Sequence, residues 1–260
     1  MRKAGWIIAA VVVIALLGLI INALFAVSEP KYAGRPLSAW LKLCNQNYPT
    51  LTLDADAAVR NIGPAGIPTM LRLLQARDSS FKLRAVKLVR KIPFLNFQYW
   101  PAESRQTAAL QGFRLLGASA SNAVPALIKI YEDHASDEIQ LAASQALKYI
   151  GPASAGAVPM LLRLATNSNE SIRWRAIDTL GGIHASPDVV VPALTAALRD
   201  PSASVRMNAA DALGNFGPAA KPATAALLHS LLDELVRNRA EEALEKINPS
   251  ALGDNMVNER

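Results

Sequence analysis

The sequence predicts an all-α protein: a superhelical solenoid of stacked helix pairs behind one N-terminal transmembrane helix. Three observations predict it. A helical pattern recurs about every 33 residues between 103 and 248, an uncharged apolar run fills residues 4–27, and the composition is rich in alanine but only 6% aromatic. Small side chains at high frequency suit helices that pack closely on one another. An apolar share of 51% against 18% charged residues is that of a chain able to bury a sizeable core.

After a three-residue tail, Ala4 to Val27 reads AGWIIAAVVVIALLGLIINALFAV, 24 residues without a charge. At about 1.5 Å per residue such a helix reaches roughly 36 Å, enough to cross a hydrocarbon core about 30 Å thick. Trp6 falls at one interface and Asn22 near the other, where polar atoms reach headgroups. A cleaved signal peptide has a shorter apolar core of about 7–15 residues and a small-residue cleavage site. Ala26-Val27-Ser28 is a weak match, and Cys44 is too distant to carry a lipid. The reading is a single-pass signal anchor. Arg2 and Lys3 precede it and Lys31, Arg35 and Lys42 follow, so the charge balance is nearly even. The short tail favours staying inside, which places the solenoid outside the cytoplasm in a bacterium.

Residues 28–50 form a linker and a capping helix, in which Leu37, Trp40, Leu41 and Cys44 share one helix face. Residues 51–102 hold degenerate repeats. Segments 53–62 and 66–76 make one pair with Gly63-Pro64 at its corner, and helix 80–92 opens another unit with Leu83-Arg84 in the key columns. From Arg84 to Gln106 there are only 22 residues, too few for a full second helix. The gap holds PFLNFQYWP (93–101), in which Phe94, Phe97, Tyr99 and Trp100 gather four of the chain's 15 aromatics. These either plug the gap or offer a recognition loop.

Residues 103–248 are regular. Segments 104–117, 138–151, 171–184, 204–217 and 235–248 align, with a polar column at Gln106, Gln140, Arg173, Arg206 and Arg237 and spacings of 34, 33, 33 and 31. Three residues on stand Ala109, Ala143, Ala176, Ala209 and Ala240. Seven on stand Phe113, Leu147, Leu180, Leu213 and Leu244, and ten on Leu116, Ile150, Ile183, Phe216 and Ile247. These offsets share one helix face. Gly117, Gly151 and Gly217 then stop the helix, since glycine accepts positive φ. Second helices follow, with Pro125, Pro159 and Pro192 near their starts. One pair cannot cover its own apolar faces, so neighbours must stack. Residues 249–260 form a C-terminal tail.

The pattern resembles HEAT repeats, including the degenerate kind related to phycobilin-lyase (PBS-lyase) HEAT-like repeats. The resemblance implies an α-α superhelix of the HEAT/armadillo type across about 200 residues. HEAT units typically carry Asp six residues before Arg. Asp78/Arg84 and Asp200/Arg206 match, Asn167/Arg173 is close, and Gln106 and Gln140 depart. Tyr32 to Leu41 also resembles a lead-in of some bacterial membrane-anchored HEAT proteins.

Catalysis and cofactors find no motif. HEAT-type di-iron hydroxylases use His-Glu pairs, but His134, His184 and His229 are followed by Ala135, Ala185 and Ser230. No G-x-S-x-G, P-loop or G-x-G-x-x-G sequence occurs. The single Cys44 excludes an intramolecular disulfide. The formal charge of +6 is thinly spread, without a run of four basic residues, which argues against a specific nucleic-acid surface. The expectation is a membrane-anchored scaffold binding a protein partner without catalysis, with Phe94, Phe97, Tyr99, Trp100, Arg173, Arg206 and Arg237 as candidate contacts. The alternative, implied by the resemblance alone, is a phycobilin-lyase-like ligand-binding or accessory protein.

Overall fold

A computed structural model of the chain describes residues 29–44, 49–90, 98–133 and 136–252. The expected membrane helix, 4–27, lies outside the described residues. Among those described, no helix is long and apolar enough to cross a membrane.

The all-α reading misses one small element. Strands β1 (Lys31–Tyr32) and β2 (Arg35–Pro36) form an antiparallel ribbon with Tyr32 opposite Arg35. Ala33 and Gly34 turn between them with φ of 46° and 76°, the left-handed well that a two-residue hairpin turn demands. Two-residue strands are too short to leave a periodic trace in a sequence. The ribbon folds onto helix α1 (Leu37–Leu43), where the Trp40 indole donates to the Tyr32 carbonyl at 3.0 Å. Leu37, Trp40 and Leu41 are buried, so α1 caps the end of the stack as its shared apolar face predicts.

The remaining helices are α2 (Pro49–Ile62), α3 (Ile67–Leu74), α4 (Ser80–Val89), α5 (Ala102–Leu116), α6 (Val124–Glu132) and α7 (Asp137–Ile150). They continue as α8 (Val158–Leu164), α9 (Glu170–Ile183), α10 (Pro187–Ala197), α11 (Ala203–Phe216), α12 (Thr224–Ser230) and α13 (Arg237–Ile247). Helices α5, α7, α9, α11 and α13 pack each on the next as one row. The second row, α3, α6, α8, α10 and α12, is knitted together largely through 3-10 turns at 63–66, 117–123, 151–157 and 217–223.

The core lies between the rows. All five alanines and all five large residues of the first two apolar columns are fully buried. Helix backbones approach closely at Gly181, where an added Cβ would lie 2.5 Å from the Ala212 Cβ and 2.8 Å from its Cα. No side chain larger than hydrogen fits there.

Gly117, Gly151 and Gly217 combine φ of 51–70° with ψ between −130° and −141°, a region open essentially to glycine alone. At the corresponding corner His184 closes that well, and the chain takes the left-handed helical conformation instead, φ 55° and ψ 37°. The 3-10 turn is lost there. Pro187 and Asp188, both good first-turn residues, start α10 early, so Pro192 falls inside the helix rather than near its start.

Helix α4 corrects the reading of 80–92 as the opening of a further unit. None of its residues is buried, and α3 packs directly on α5. Its inward stripe of Lys82, Ala85, Val86 and Val89 is only half-buried and carries no large apolar side chain beyond valine. Residues between α3 and α5 are therefore an insertion, with its ends joined where the Ala102 N–H donates to Asp78 at 2.7 Å.

Candidate functional site

The polar column builds a ladder along one edge of the stack. Arg173 Nε and Nη2 donate to the two carboxylate oxygens of Asp200 at 2.7 and 2.8 Å, and Nη1 donates to the carbonyls of Asn167 and Ser168. Arg206 repeats the arrangement one unit on, reaching Asp233 at 2.9 Å and the Asp200 carbonyl at 2.9 Å. Arg237 ends the series on the Leu231 carbonyl at 2.8 Å. Each arginine thus closes its own incoming loop, and Arg173 and Arg206 also grip the next loop. A planar fork of five donors suits this bidentate task. The bond from Arg173 holds the Asp200 carboxyl below the usual range against the opposing effect of burial, and Arg206 does the same for Asp233.

The two glutamines perform part of the task. Gln106 donates to the Ala76 carbonyl at 2.9 Å, and Gln140 donates to the Tyr131 carbonyl at 3.2 Å. Gln106 reaches back across the insertion, which confirms α5 as the true neighbour of α3. Asp78 does not serve Arg84. It accepts from Arg105 at 2.7 Å and Lys82 at 3.1 Å. Burial opposes its ionisation, but Tyr99, the Ala102 N–H and Lys82 outweigh that and hold its carboxyl at about 2.

Phe94 and Phe97 lie outside the described residues. Tyr99 and Trp100 are half-buried: Trp100 packs on the core, and the Lys82 ammonium stands 5.3 Å from the Tyr99 ring centroid. The donors of Arg173 and Arg206 are spent within the stack, so the fold does not bring them together with the aromatics as one surface.

A different column lies at the margin between core and surface. One residue beyond the ladder positions stand Leu141, Trp174 and Met207, on α7, α9 and α11 in succession. Leu141 is 51% exposed, while Trp174 and Met207 are half-buried, each packing in part against the core. Shallow grooves run beside them. One of about 290 Å³ is lined by Trp174, Glu170, Arg175 and Ser204, and one of about 360 Å³ by Tyr131, Gln140, Arg163 and Ile172. A larger one of about 590 Å³ lies at the start of α5 beside Asp78 and Glu103. Between the smaller two, the Tyr131 hydroxyl and Arg175 Nε are buried without a hydrogen-bond partner among the described residues. Burial pushes the Tyr131 phenol up. Groups of this kind are costly to leave unpaired. The same alignment that yields the ladder yields this apolar column, had the next position been compared across repeats. Among the described residues, no group of three or more His, Cys, Asp or Glu is placed to hold a metal ion.

Residues 124–190 and 184–245 match the model of a family described as HEAT repeats. No curated protein matches the sequence. Among solved structures, Kap121p is similar with a TM-score of 0.49 and 16% identity over 83% of this chain and 26% of that one. A designed armadillo repeat protein in complex with the peptide (KR)4 is similar with a TM-score of 0.45 and 19% identity, over 82% of this chain and 99% of that one. The repeat match and the helix-pair packing agree: residues 124–245 are similar to HEAT repeats, and the described chain is an all-helical solenoid of that kind of pairing.

Proposed function

We propose that this protein is a membrane-tethered HEAT scaffold that holds a protein partner against the outer face of its first helix row, by recognition and without a covalent step. The observation that carries the reading is the column Leu141, Trp174 and Met207, an apolar stripe repeated at one position of three successive helices. Large side chains set among polar neighbours are the usual anchors of a protein interface.

The uncharged segment 4–27 supports tethering. Confinement at a membrane raises the effective concentration of the scaffold toward partners at the same surface. The solenoid stands on the extracytoplasmic side in this reading, and protease accessibility of the C-terminal domain in spheroplasts tests it.

The partner is tested by crosslinking and pull-down of the full chain in mild detergent, followed by mass spectrometry. Leu141→Glu changes an exposed position, where substitutions shift stability by about 0.5 kcal/mol or less. The expected result is one partner captured by the parent chain and lost with Leu141→Glu at an unchanged melting temperature. Retention of every captured partner by both Leu141→Glu and Trp174→Ala sinks the proposal.

A further inference from the structure

The insertion helix α4 has an inner and an outer side of different character. Lys82, Ala85, Val86 and Val89, at helical spacing, form the half-buried side toward the protein. The outer side carries Phe81, Leu83 and Leu88, which are 81%, 47% and 65% exposed, together with exposed Arg84, Lys87 and Arg90. No acidic residue occurs between Asp78 and Glu103. Lys82 is paired with Asp78, but Arg84, Lys87 and Arg90 have no carboxylate partner among the described residues. A stack-forming helix would have turned its largest apolar side chains inward. This one leaves Phe81 and Leu88 exposed on one flank and Leu83 on the other, with Arg84 and Lys87 between them.

We propose that the outer side of α4 docks on the anionic lipid surface of a bilayer. Apolar side chains enter the headgroup boundary while the neighbouring Lys and Arg meet lipid phosphates, the combination by which a basic helix binds a membrane surface. Two further observations single out a bilayer as the occupant. The apolar run ends at Val27, and two residues later Glu29 is held by the Ser38 N–H at 3.0 Å and by Arg72 of α3, the helix just before the insertion. At the other end of the insertion, Gln98 accepts from Lys42 of the capping helix at 3.4 Å. The insertion is therefore rooted at the end of the stack from which the apolar segment departs. This second contact rests in part on the tethered reading, and it would fix the tilt of the solenoid where a lone N-terminal tether leaves it free.

The test uses the full chain with Leu88→Cys in a Cys44→Ala background, carrying an environment-sensitive fluorophore. It is mixed with vesicles of phosphatidylcholine alone, or of phosphatidylcholine with phosphatidylglycerol, each containing brominated lipid as quencher. The expected result is quenching in the anionic vesicles only, suppressed by salt. Arg84→Glu, Lys87→Glu and Arg90→Glu together should lower the docking equilibrium on the order of a hundredfold, while Arg84→Lys, Lys87→Arg and Arg90→Lys together preserve it. Absent quenching, equal quenching in both vesicles, or protection of the label by an acidic protein without lipid overturns the proposal. The tether has a separate readout: failure to float with the neutral vesicles overturns anchoring by 4–27, and quenching at Leu88→Cys in anionic vesicles still reports on α4.

Discussion

Arg173 holds Asp200, 27 residues further along the chain, with two parallel hydrogen bonds of 2.7 and 2.8 Å. The pair joins two loops, so its loss is felt at a repeat boundary rather than at one helix. Asp200 and Asp233 ionise more readily in the folded chain, and Asp78 is held at about 2. A depressed folded value stabilises the protein above the unfolded aspartate pKa of about 3.9 and is lost as pH falls toward the folded value. The melting temperature should therefore hold steady at neutral pH and fall between about pH 4 and pH 2. In Arg173→Ala that acid-induced fall should be shallower, and Arg173→Ala with Asp200→Ala should cost less than the sum of the single changes. Additive single changes, measured by thermal melting, would show the ladder to be inert.

Gly181 marks a close backbone contact within the first row. A methyl group there meets the Ala212 Cβ at 2.5 Å and its Cα at 2.8 Å, and backbone cannot step aside as a flexible side chain can. Gly181→Ala should destabilise by about 1–3 kcal/mol through overpacking, despite the better helix propensity of alanine. Ala212→Gly removes only one of the two clashes and should rescue part of the loss. Urea midpoints of the two single variants and the double variant measure it.

Two phenylalanines separate stack from insertion. Phe113 is fully buried in the core, whereas Phe81 is 81% exposed on α4. Phe113→Ala should cost about 3–5 kcal/mol, and Phe81→Ala about 0.5 kcal/mol or less. Chemical denaturation followed by circular dichroism distinguishes them. A comparable loss for Phe81→Ala would return α4 to the core.

Cys44 is half-buried at the end of the capping helix. Burial, and then the nearby Asp56 carboxylate, push its thiol up to about 11. Little thiolate exists at neutral pH, so a disulfide reagent should modify it far more slowly than a free thiol, accelerating in alkali or urea. Rapid modification of the native protein at neutral pH would contradict this environment.

Repetition made most of the fold legible. A single alanine such as Ala143 carries little information, but five alanines at one offset, each followed by a large apolar residue, could only line a shared core. The same regularity misleads where one residue breaks it. Leu83-Arg84 imitates the repeat columns, and the 22 residues from Arg84 to Gln106 were the sign that α4 lacks a stacking partner. Pro192 aligns with Pro125 and Pro159, yet the preceding exchange of glycine for His184 changes the backbone well and moves the helix start. The polar column was legible at Arg173 and Arg206, but the ladder it builds and its acceptors were not. Which carboxylate an arginine reaches depends on the stacking of loops, and Asp200 serves Arg173 from the following repeat. The candidate interface was missed for a different reason: Leu141, Trp174 and Met207 read one at a time as ordinary helix residues, and only comparing the position after the polar column across repeats brings them together.

The insertion between Leu74 and Ala102 also bears on the order in which the chain folds. From α5 onward each helix meets its neighbour across a short turn, so association there is local and the entropic cost of closure is small. Helix α3 must instead find α5 across a long excursion, and closure grows costlier with loop length, by about 0.6 kcal/mol per doubling. Rates of folding follow such separations. The part of the solenoid synthesised last is therefore the part able to nucleate first. The N-terminal cap should then join a stack already formed, making the end nearest the apolar segment the last to close.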